Sequence, residues 1–566
     1  MKIQDNLSTK YTDSFNQFEP LQEYPRPLLR RNSFFCLNGS WDYKISNNNK
    51  EPSSYDGGII VPFCLESNLS GVKKKLKKGQ YLIYRKRFTL PKDGFIKDKV
   101  ILHIDAVDQV SKIYFNGYLL GETHNGYLPF SADITNCLKD VNSLVVIVKD
   151  DLSHKYPYGK QKKHRGGMWY TPVSGIWKTC WIESVTKKYI KDIKITTLDN
   201  LRGIHVEIDS NDNDFLVSVI DKEKTIFSKA FKTKSFDIDL GNPCLWSPDH
   251  PYIYDLKIET KSEEVTSYFG VRKIEIKGKH VYLNGKRIFL NGLLDQGYFP
   301  EGIYTPSSYK AYADDILTMK GLGFNTLRKH IKVEPQYFYY LCDIYGMLVI
   351  QDFVNNGHYS FLIDTALPTV FPKVKINDKI RHLNKNRRAV FKESLKGTVN
   401  QLFNHPSIIM WTIFNESWGQ FDSDNVKNYL LSFDKSRLID NTSGWFEQNN
   451  NDFKSIHCYF KKFVPPKTDK PILLSEFGGY SYKLKENSYN LSKTYGYRKY
   501  DNQKQFEDGF VHLYEDEIIP NKDLLAGTIY TQLSDVEDET NGLLTYDRKV
   551  LKVDKARIVD LMRKLK

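Results

Sequence analysis

From about residue 280 onward, short apolar segments alternate with segments of helical periodicity, and this alternation constrains the fold more than any other feature. In residues 337–345, for example, the apolar side chains share one helical face, and Gly346 is the predicted end. Further helices are expected at 386–404 and from 552 to the last residue. This pattern predicts a (β/α)8 barrel over residues 275–566. The eight predicted strands are 287–293, 324–328, 347–352, 407–414, 437–441, 455–459, 471–475 and 525–531.

The chain before the predicted barrel consists of short strand-like runs separated by turn clusters. In residues 1–187, the pair Asn116-Gly117 between two such runs is a hairpin signal. Residues 188–274 carry shorter runs, whose length and spacing fit a small β-sandwich of under about 100 residues. The sequence therefore predicts three domains: an all-β domain at 1–187, a sandwich at 188–274 and the barrel at 275–566.

The formal net charge of +14 raises the question of a nucleic-acid partner. The basic residues are densest at 73–78 and form a looser run at 160–165, and runs of this kind are usually solvated loops. They are not accompanied by a zinc-finger, homeodomain or RNA-binding pattern. We therefore expect both runs to be exposed and expect no nucleic-acid partner.

The compartment is predicted from the N-terminus and the cysteines. The N-terminus lacks the apolar core of a secretory signal, and no apolar run approaches the length of about 20 residues that a membrane span needs. The seven cysteines are scattered and never form CxxC pairs. This pattern is typical of reduced thiols in a cytoplasmic protein and argues against a zinc site. We expect a cytoplasmic protein with no membrane association, no bound metal and no cofactor.

Two of the predicted strands end on a glutamate. An almost entirely apolar run at 408–414 leads directly into Asn415 and Glu416, and the run at 472–475 leads into Glu476. In a barrel, both carboxylates would project into the same mouth. A lone glutamate after a strand is more often a helix cap or a surface carboxylate. A pair at such positions matches glycoside hydrolysis, which needs one carboxyl as proton donor and, for retention of configuration, a nucleophilic carboxylate about 5–5.5 Å away.

Other predicted strand ends add polar groups to this mouth. Arg328 could hydrogen-bond a nucleophilic carboxylate and hold it ionised, and the Tyr459 hydroxyl could orient it. His330 alone would more often be a structural histidine, and the acidic loop 535–539 is expected to be solvated. The catalytic candidates are thus Glu416 and Glu476. The candidates for substrate binding are Asn415, Arg328, His330, Tyr459, Asp295, Trp418, His457 and Asp352.

The ordered motifs of the chain resemble glycoside hydrolase family 2, which includes β-galactosidases, β-glucuronidases and β-mannosidases. Residues 414–419, FNESWG, are similar to the family's acid/base motif, and residues 475–478, SEFG, are similar to its nucleophile motif. The resemblance covers nearly the whole chain. Its other segments are 325–330 and 341–349 in the barrel and 37–41, 84–88 and 175–177 in the first domain.

The resemblance implies a jelly-roll in the first domain, an immunoglobulin-like β-sandwich in the second and a (β/α)8 barrel in the third. It implies that Glu416 acts as general acid and then general base, and that Glu476 is the nucleophile. Asn415 would bind the sugar 2-hydroxyl, and Arg328 and Tyr459 would support the nucleophile. A carbohydrate substrate is therefore expected, and a homo-oligomer is compatible with the family.

The resemblance also allows expectations about a required metal ion and about which sugar is hydrolysed. The glutamate that helps to bind magnesium in the large metal-dependent β-galactosidases has no counterpart in residues 351–356, so no required metal is expected. The Asn-any-Lys motif with which β-glucuronidases bind the sugar carboxylate is not found at 541–545. Segments 294–298 and 532–537 are similar to those of three-domain bacterial members often labelled β-galactosidase. This favours a β-galactosidase, with a β-glucuronidase, a β-mannosidase or a non-catalytic carbohydrate-binding protein as alternatives.

Overall fold

The computed structural model describes residues 2–92, 94–371 and 374–565. Its first domain is a sandwich of two antiparallel sheets. Its strands are β1 (Phe34–Cys36), β2 (Gly39–Ser46), β3 (Gly57–Val61), β4 (Tyr81–Phe88), β5 (Lys99–Ile104), β6 (Val107–Asp108), β7 (Val110–Phe115), β8 (Tyr118–Thr123), β9 (Phe130–Asp133), β10 (Asn142–Lys149), β11 (Gly175–Ile176) and β12 (Cys180–Val185). One sheet of the sandwich has the order β1-β12-β5-β9 and the other β3-β2-β4-β10-β7-β8, while β6 and β11 pair separately. Trp41 and Tyr84 are among the large side chains buried in its core.

The period-two pattern of these strands explains how the sheets pack. In β7, the side chains of Ser111, Ile113 and Phe115 are buried and those between them are only partly buried. The turn into β8 is formed by Asn116 and Gly117, whose φ angles are 51° and 91°. Both angles are positive, as a two-residue hairpin turn of this type requires, so the predicted hairpin is confirmed.

The second domain is a smaller sandwich of seven strands. They are β13 (Ile190–Thr197), β14 (Gly203–Ser210), β15 (Phe215–Asp221), β16 (Lys224–Phe231), β17 (Ser235–Asp239), β18 (Tyr254–Glu259) and β19 (Glu264–Phe269). A sheet of order β13-β14-β17 faces a sheet of order β16-β15-β18-β19. Val206, Val217 and Leu256 are fully buried in its core. Seven short antiparallel strands in two sheets are the immunoglobulin-like arrangement that the resemblance implies.

The third domain is the barrel, preceded by a small antiparallel sheet. That sheet contains β20 (Ile274–Lys277), β21 (His280–Leu283) and β22 (Lys286–Ile288). The later strands are β23 (Leu290–Asp295), β24 (Thr326–Lys329), β25 (Leu348–Asp352), β26 (Ile408–Asn415), β27 (Leu438–Ser443), β28 (Lys454–Cys458), β29 (Ile472–Gly478), β30 (Ser481–Tyr482), β31 (Lys499–Tyr500) and β32 (Leu525–Thr531). Eight of them pair in parallel in the order β27-β26-β25-β24-β23-β32-β29-β28, whereas β30 and β31 pair separately. The described residues of β27 and β28 share no backbone pairing, so the barrel is nearly closed.

Helices lie between most of the barrel strands. They are α1 (Lys310–Gly321), α2 (Gln336–Tyr345), α3 (Leu367–Val370), α4 (Lys385–Leu402), α5 (Ser423–Leu431), α6 (Gln503–Leu513) and α7 (Lys555–Arg563). Gly346 follows α2 with a φ of 72°, a left-handed conformation that ends the helix as predicted. The jelly-roll, sandwich and barrel fold class is therefore confirmed.

Each predicted barrel strand has a counterpart in the structure, but the first is misplaced. The prediction 287–293 joins the end of β22 to most of β23. Arg287 pairs with Tyr282 in the small antiparallel sheet, whereas Gly292 pairs with Thr326 in the barrel. One apolar run thus serves two sheets, a division that periodicity alone does not reveal.

Within the described ranges, no helix is long and apolar enough to cross a membrane. All seven cysteines have free thiols.

Candidate active site

Glu416 and Glu476 meet at the mouth of the barrel. All eight residues of β26 are buried, and Glu416 follows directly, while Glu476 lies near the end of β29. Carboxylate oxygens of the two residues lie within 4.8 Å of each other. This spacing matches the roughly 5–5.5 Å of retaining glycosidases and is well below the roughly 6.5–9.5 Å of inverting ones.

The backbone turns sharply at Glu416 and so sets the direction in which its side chain leaves the main chain. Glu416 and Ser417 have φ angles of 47° and 61°, a left-handed conformation that non-glycine residues seldom adopt. The Glu416 N–H donates to the Ser443 carbonyl at 2.9 Å, and the Ser417 hydroxyl donates to Asp364 at 2.6 Å. Such strained residues persist only where their surroundings hold them, and they cluster at functional sites.

Glu476 is buried among groups that stabilise its charge. Arg328 Nη1 donates to its Oε1 at 3.1 Å, and the Tyr459 hydroxyl donates to its Oε2 at 2.6 Å. Burial alone would raise the pKa of Glu476, but His457, Arg328, His330 and the Tyr459 hydrogen bond outweigh it and lower the pKa to about 2. Glu476 is therefore ionised near neutral pH, as a nucleophile must be.

Arg328 connects four barrel strands. Its Nε donates to Asp352 on β25 at 2.9 Å, and its Nη2 donates to Asn415 Oδ1 on β26 at 2.8 Å. Its Nη1 also donates to the Ser475 carbonyl on β29, at 3.0 Å. Asn415 Nδ2 makes no hydrogen bond with any described residue, which leaves that donor for a ligand.

His457 lies between the two glutamates. Its Nδ1 is 2.8 Å from Glu416 Oε1 and 3.6 Å from Glu476 Oε2. Its Nε2 is 3.0 Å from the Ser443 hydroxyl, and the ring is completely buried. The structure thus places this candidate against both catalytic candidates.

His330 and Asp352 form a second buried pair at the mouth. His330 Nδ1 lies 2.8 Å from Asp352 Oδ2, while its buried Nε2 has no protein partner among the described residues. Burial and, next, the nearby Lys160 lower the pKa of His330, so its ring is neutral at neutral pH. Since Asp352 accepts from Nδ1–H, Nε2 carries a lone pair that can accept a sugar hydroxyl.

Asp295 and Trp418 have their polar atoms engaged by other parts of the protein. Asp295 pairs with Lys329 Nζ at 2.6 Å and accepts from the Gly297 N–H at 2.9 Å. Trp418 Nε1 donates to the Tyr158 hydroxyl at 3.0 Å. Direct contacts of these two residues with substrate stay a prediction.

The predicted solvation of the acidic loop 535–539 is wrong. Glu537 and Asp538 are only 4% and 1% exposed, and Arg165 Nη1 lies 3.1 and 3.2 Å from their carboxylates. The basic run 160–165 is therefore only partly the exposed loop that was expected. The run at 73–78 is mostly exposed, in agreement with the prediction.

The sequence suggested that the jelly-roll shapes one wall of the pocket, but it did not reveal which residues do so. Its segment 150–174 brings Tyr158 and Trp169 against Trp418, with the two tryptophan rings 5.1 Å apart. The same segment places Lys160 near His330, and Lys160 forms no ion pair with any described residue. The basic run 160–165 was the one local sequence signal in this segment. Its packing against distant residues cannot be predicted from the spacing of residues along the chain.

Family models match three consecutive segments of the chain. Residues 62–180 match the galactose-binding-like domain of glycosyl hydrolase family 2, residues 181–272 match its second domain, and residues 274–551 match its TIM barrel domain.

Curated relatives match about two thirds of the chain. A β-galactosidase of Thermoanaerobacter pseudethanolicus is 28% identical over 62% of this chain and 47% of its own length. A β-glucuronidase of Streptococcus agalactiae is 23% identical over 69% of this chain and 68% of its own. The chain spans about half the length of several of the β-galactosidases it matches.

Solved structures share the fold over nearly the whole chain. A β-glucuronidase from an uncultured Clostridium superposes with a TM-score of 0.75 at 18% identity, covering 95% of this chain and 98% of that one. A β-galacturonidase from Eisenbergiella tayi gives a TM-score of 0.69, also at 18% identity, over 94% and 97%. The domain matches, together with this shared architecture, establish that the chain belongs to glycosyl hydrolase family 2.

Proposed function

We propose that the protein is a retaining exo-β-glycosidase that hydrolyses terminal β-linked sugars by double displacement. The observation that carries the proposal is the spacing of the two carboxylates within 4.8 Å, together with the hydrogen bonds that Arg328 and Tyr459 donate to Glu476. That spacing leaves room for a sugar between nucleophile and acid, but not for the extra water molecule of an inverting reaction.

In the first step, a Glu476 oxygen attacks the anomeric carbon and the bond to the leaving oxygen breaks. Glu416 donates its proton to that oxygen, so the aglycone departs as a neutral alcohol and a glycosyl ester remains on Glu476. In the second step, Glu416 accepts a proton from water, whose oxygen attacks the anomeric carbon. Glu476 leaves as a carboxylate, and the sugar keeps its configuration.

The neighbouring residues have supporting roles in this mechanism. Arg328 and Tyr459 orient Glu476 and stabilise its charge in both steps. Asn415 has its oxygen fixed by Arg328, so its Nδ2 is directed for donation to the sugar 2-hydroxyl. His330 Nε2 offers an acceptor to another hydroxyl.

We infer that β-D-galactosides are the preferred substrates, supported by the β-galactosidases among the relatives and by the neutral acceptor on His330. One observation favours β-uronides as a second candidate. Burial lowers the pKa of His330 and raises the pKa of Glu539, and the charge of Lys160 acts to lower both. A positive charge in this region could pair with a sugar carboxylate. The structural neighbours that act on glucuronides and galacturonides agree with this alternative.

The decisive experiment is a panel of nitrophenyl β-glycosides (galactoside, glucuronide, galacturonide, mannoside and glucoside) with and without chelator. We expect the highest kcat/KM on the galactoside, and a higher value on either uronide would reverse the order of the candidates. Glu476→Gly should abolish turnover, and a 2-deoxy-2-fluoro glycoside should label Glu476 in the wild-type protein. Undiminished turnover by Glu476→Gly would refute the mechanism.

A further inference from the structure

Glu416, His457 and Glu476 form a compact cluster that has a second chemical capacity. One ligand atom from each residue lies within 4.8 Å of the other two, and among the described residues this is the one group of three histidine, cysteine or acidic side chains so arranged. We propose that this cluster binds a divalent transition metal such as Zn²⁺, which inhibits the enzyme by occupying the site of the scissile bond. The inhibition rests on the proposed glycosidase function, whereas the binding does not.

The donor set suits zinc. Zinc binds imidazole nitrogen and carboxylate oxygen at about 2.0–2.2 Å, often with three protein ligands and one open position. Two ligand atoms of a tetrahedral site with such bonds lie about 3.3 Å apart. The two distances from His457 Nδ1, 2.8 Å to Glu416 and 3.6 Å to Glu476, bracket this value. The carboxylate oxygens, which lie within 4.8 Å of each other, must approach to about 3.3 Å, and rotation of the partly exposed Glu416 side chain allows this.

Surrounding hydrogen bonds already orient two of the three ligands, His457 and Glu476. The Ser443 hydroxyl lies 3.0 Å from His457 Nε2 and so keeps Nδ1 facing the carboxylates. Tyr459 and Arg328 hold the two oxygens of Glu476. Outer partners of this kind orient metal ligands and contribute strongly to affinity.

Bound metal would stop the reaction for a simple reason. It would bind Glu416 Oε1 and Glu476 Oε2, the oxygens nearest His457, so that Glu416 could not donate a proton and Glu476 could not attack the sugar. The cluster also differs from the magnesium position of the large β-galactosidases, since it uses no residue of the 351–356 segment.

The test is zinc titration of the full chain by isothermal calorimetry and thermal shift, without substrate, together with inhibition kinetics. We expect one inhibitory zinc per chain, a higher Tm, and a loss of activity that substrate overcomes and EDTA reverses. His457→Asn should weaken zinc binding by more than about tenfold. The reason is that removal of a group that only hydrogen-bonds a metal ligand already costs about 10–100-fold in affinity, and His457 is itself a proposed ligand.

A matched control is His358→Asn. His358 Nδ1 lies 2.9 Å from His154 Nδ1, so these two imidazoles offer zinc a different pair of ligands at a more exposed position. We expect His358→Asn to leave zinc inhibition unchanged. The inference is overturned if calorimetry detects no zinc binding, or if His358→Asn rather than His457→Asn removes it. Zinc binding that depends on His457 in a protein inactive on every glycoside would support the metal site and refute the proposed function instead.

Discussion

Tyr459→Phe tests the support of the proposed nucleophile with little change in shape. The Tyr459 hydroxyl donates to Glu476 at 2.6 Å, and its other hydrogen-bonding neighbour is Thr531, at 2.9 Å. Burial and the nearby Glu476 raise the pKa of Tyr459 well above its ordinary value, so the hydroxyl stays a donor. In the second step, charge returns to Glu476 as the glycosyl ester breaks. The hydrogen bond is therefore stronger in that transition state than in the neutral ester.

The size of the effect follows from the charge of the acceptor. A hydrogen bond to a charged group contributes about 1.5–3 kcal/mol. Since each 1.36 kcal/mol is a factor of ten in rate, hydrolysis of the glycosyl-enzyme should slow roughly 10–150-fold in Tyr459→Phe. Because the ester then accumulates, kcat and KM should fall together.

Stopped-flow measurement with a dinitrophenyl glycoside separates the two steps. We expect Tyr459→Phe to release about one equivalent of dinitrophenol per chain in a burst, followed by slow turnover. Tyr252→Phe is the matched control, because Tyr252 donates a similar bond to Asp221 in the second domain at 2.5 Å. A Tyr459→Phe enzyme with unchanged kcat and KM, or with no burst despite slow turnover, would refute the reasoning.

Two further predictions concern the proton donor and a buried ion pair. Glu416→Gln should lower kcat/KM by at least about 100-fold on an alkyl glycoside but much less on a dinitrophenyl glycoside, because the dinitrophenyl leaving group needs no proton. Equal losses on the two substrates would contradict the assignment of Glu416 as the proton donor. Glu183 accepts from Arg26 at 2.9 Å and from Arg31 at 3.0 Å, so Glu183→Gln should lower the free energy of unfolding in urea by about 3–5 kcal/mol. Burial alone would raise the pKa of Glu183, but Arg26, His103 and Arg31 lower it well below its ordinary 4.5. The ion pairs of Glu183 with Arg26 and Arg31 therefore stabilise the protein above about pH 4.5, and this contribution is lost as the pH falls below that value. As the pH is lowered, the Tm of Glu183→Gln should fall less than the Tm of the wild type. Parallel curves of Tm against pH would contradict this prediction.

The barrel strands are predictable because strands buried on both faces appear as continuous apolar runs. The run before Glu416 is an example: 407–414 is predicted and Ile408–Asn415 is observed. The first strand fails because Lys286–Ile288 belongs to a separate antiparallel sheet. Which sheet a run joins depends on partners distant in sequence, and local pattern does not record them.

The same limit applies to the candidate site. The positions of Glu416 and Glu476 follow from the strand ends, so the sequence suffices to bring them to one mouth. The contact of His457 with both depends on the register of β28 and β29, which is irregular between Ser455 and His457. The burial of Glu537 depends on Arg165, which is 372 residues away along the chain.

The nearly closed barrel has a consequence for how the carboxylate spacing is maintained. Side chains bridge the gap between β27 and β28, with Ser443 Oγ 3.0 Å from His457 Nε2 and Ser455 donating to Asp440 at 2.7 Å. These side-chain hydrogen bonds connect β27 and β28 in place of the backbone hydrogen bonds that join the other neighbouring strands of the barrel. His457 is part of this side-chain bridge and also a neighbour of Glu416, so a change at the bridge would shift Glu416 relative to Glu476. The spacing on which the proposed retaining mechanism rests thus depends on a few hydroxyl contacts as well as on the main chain of the barrel.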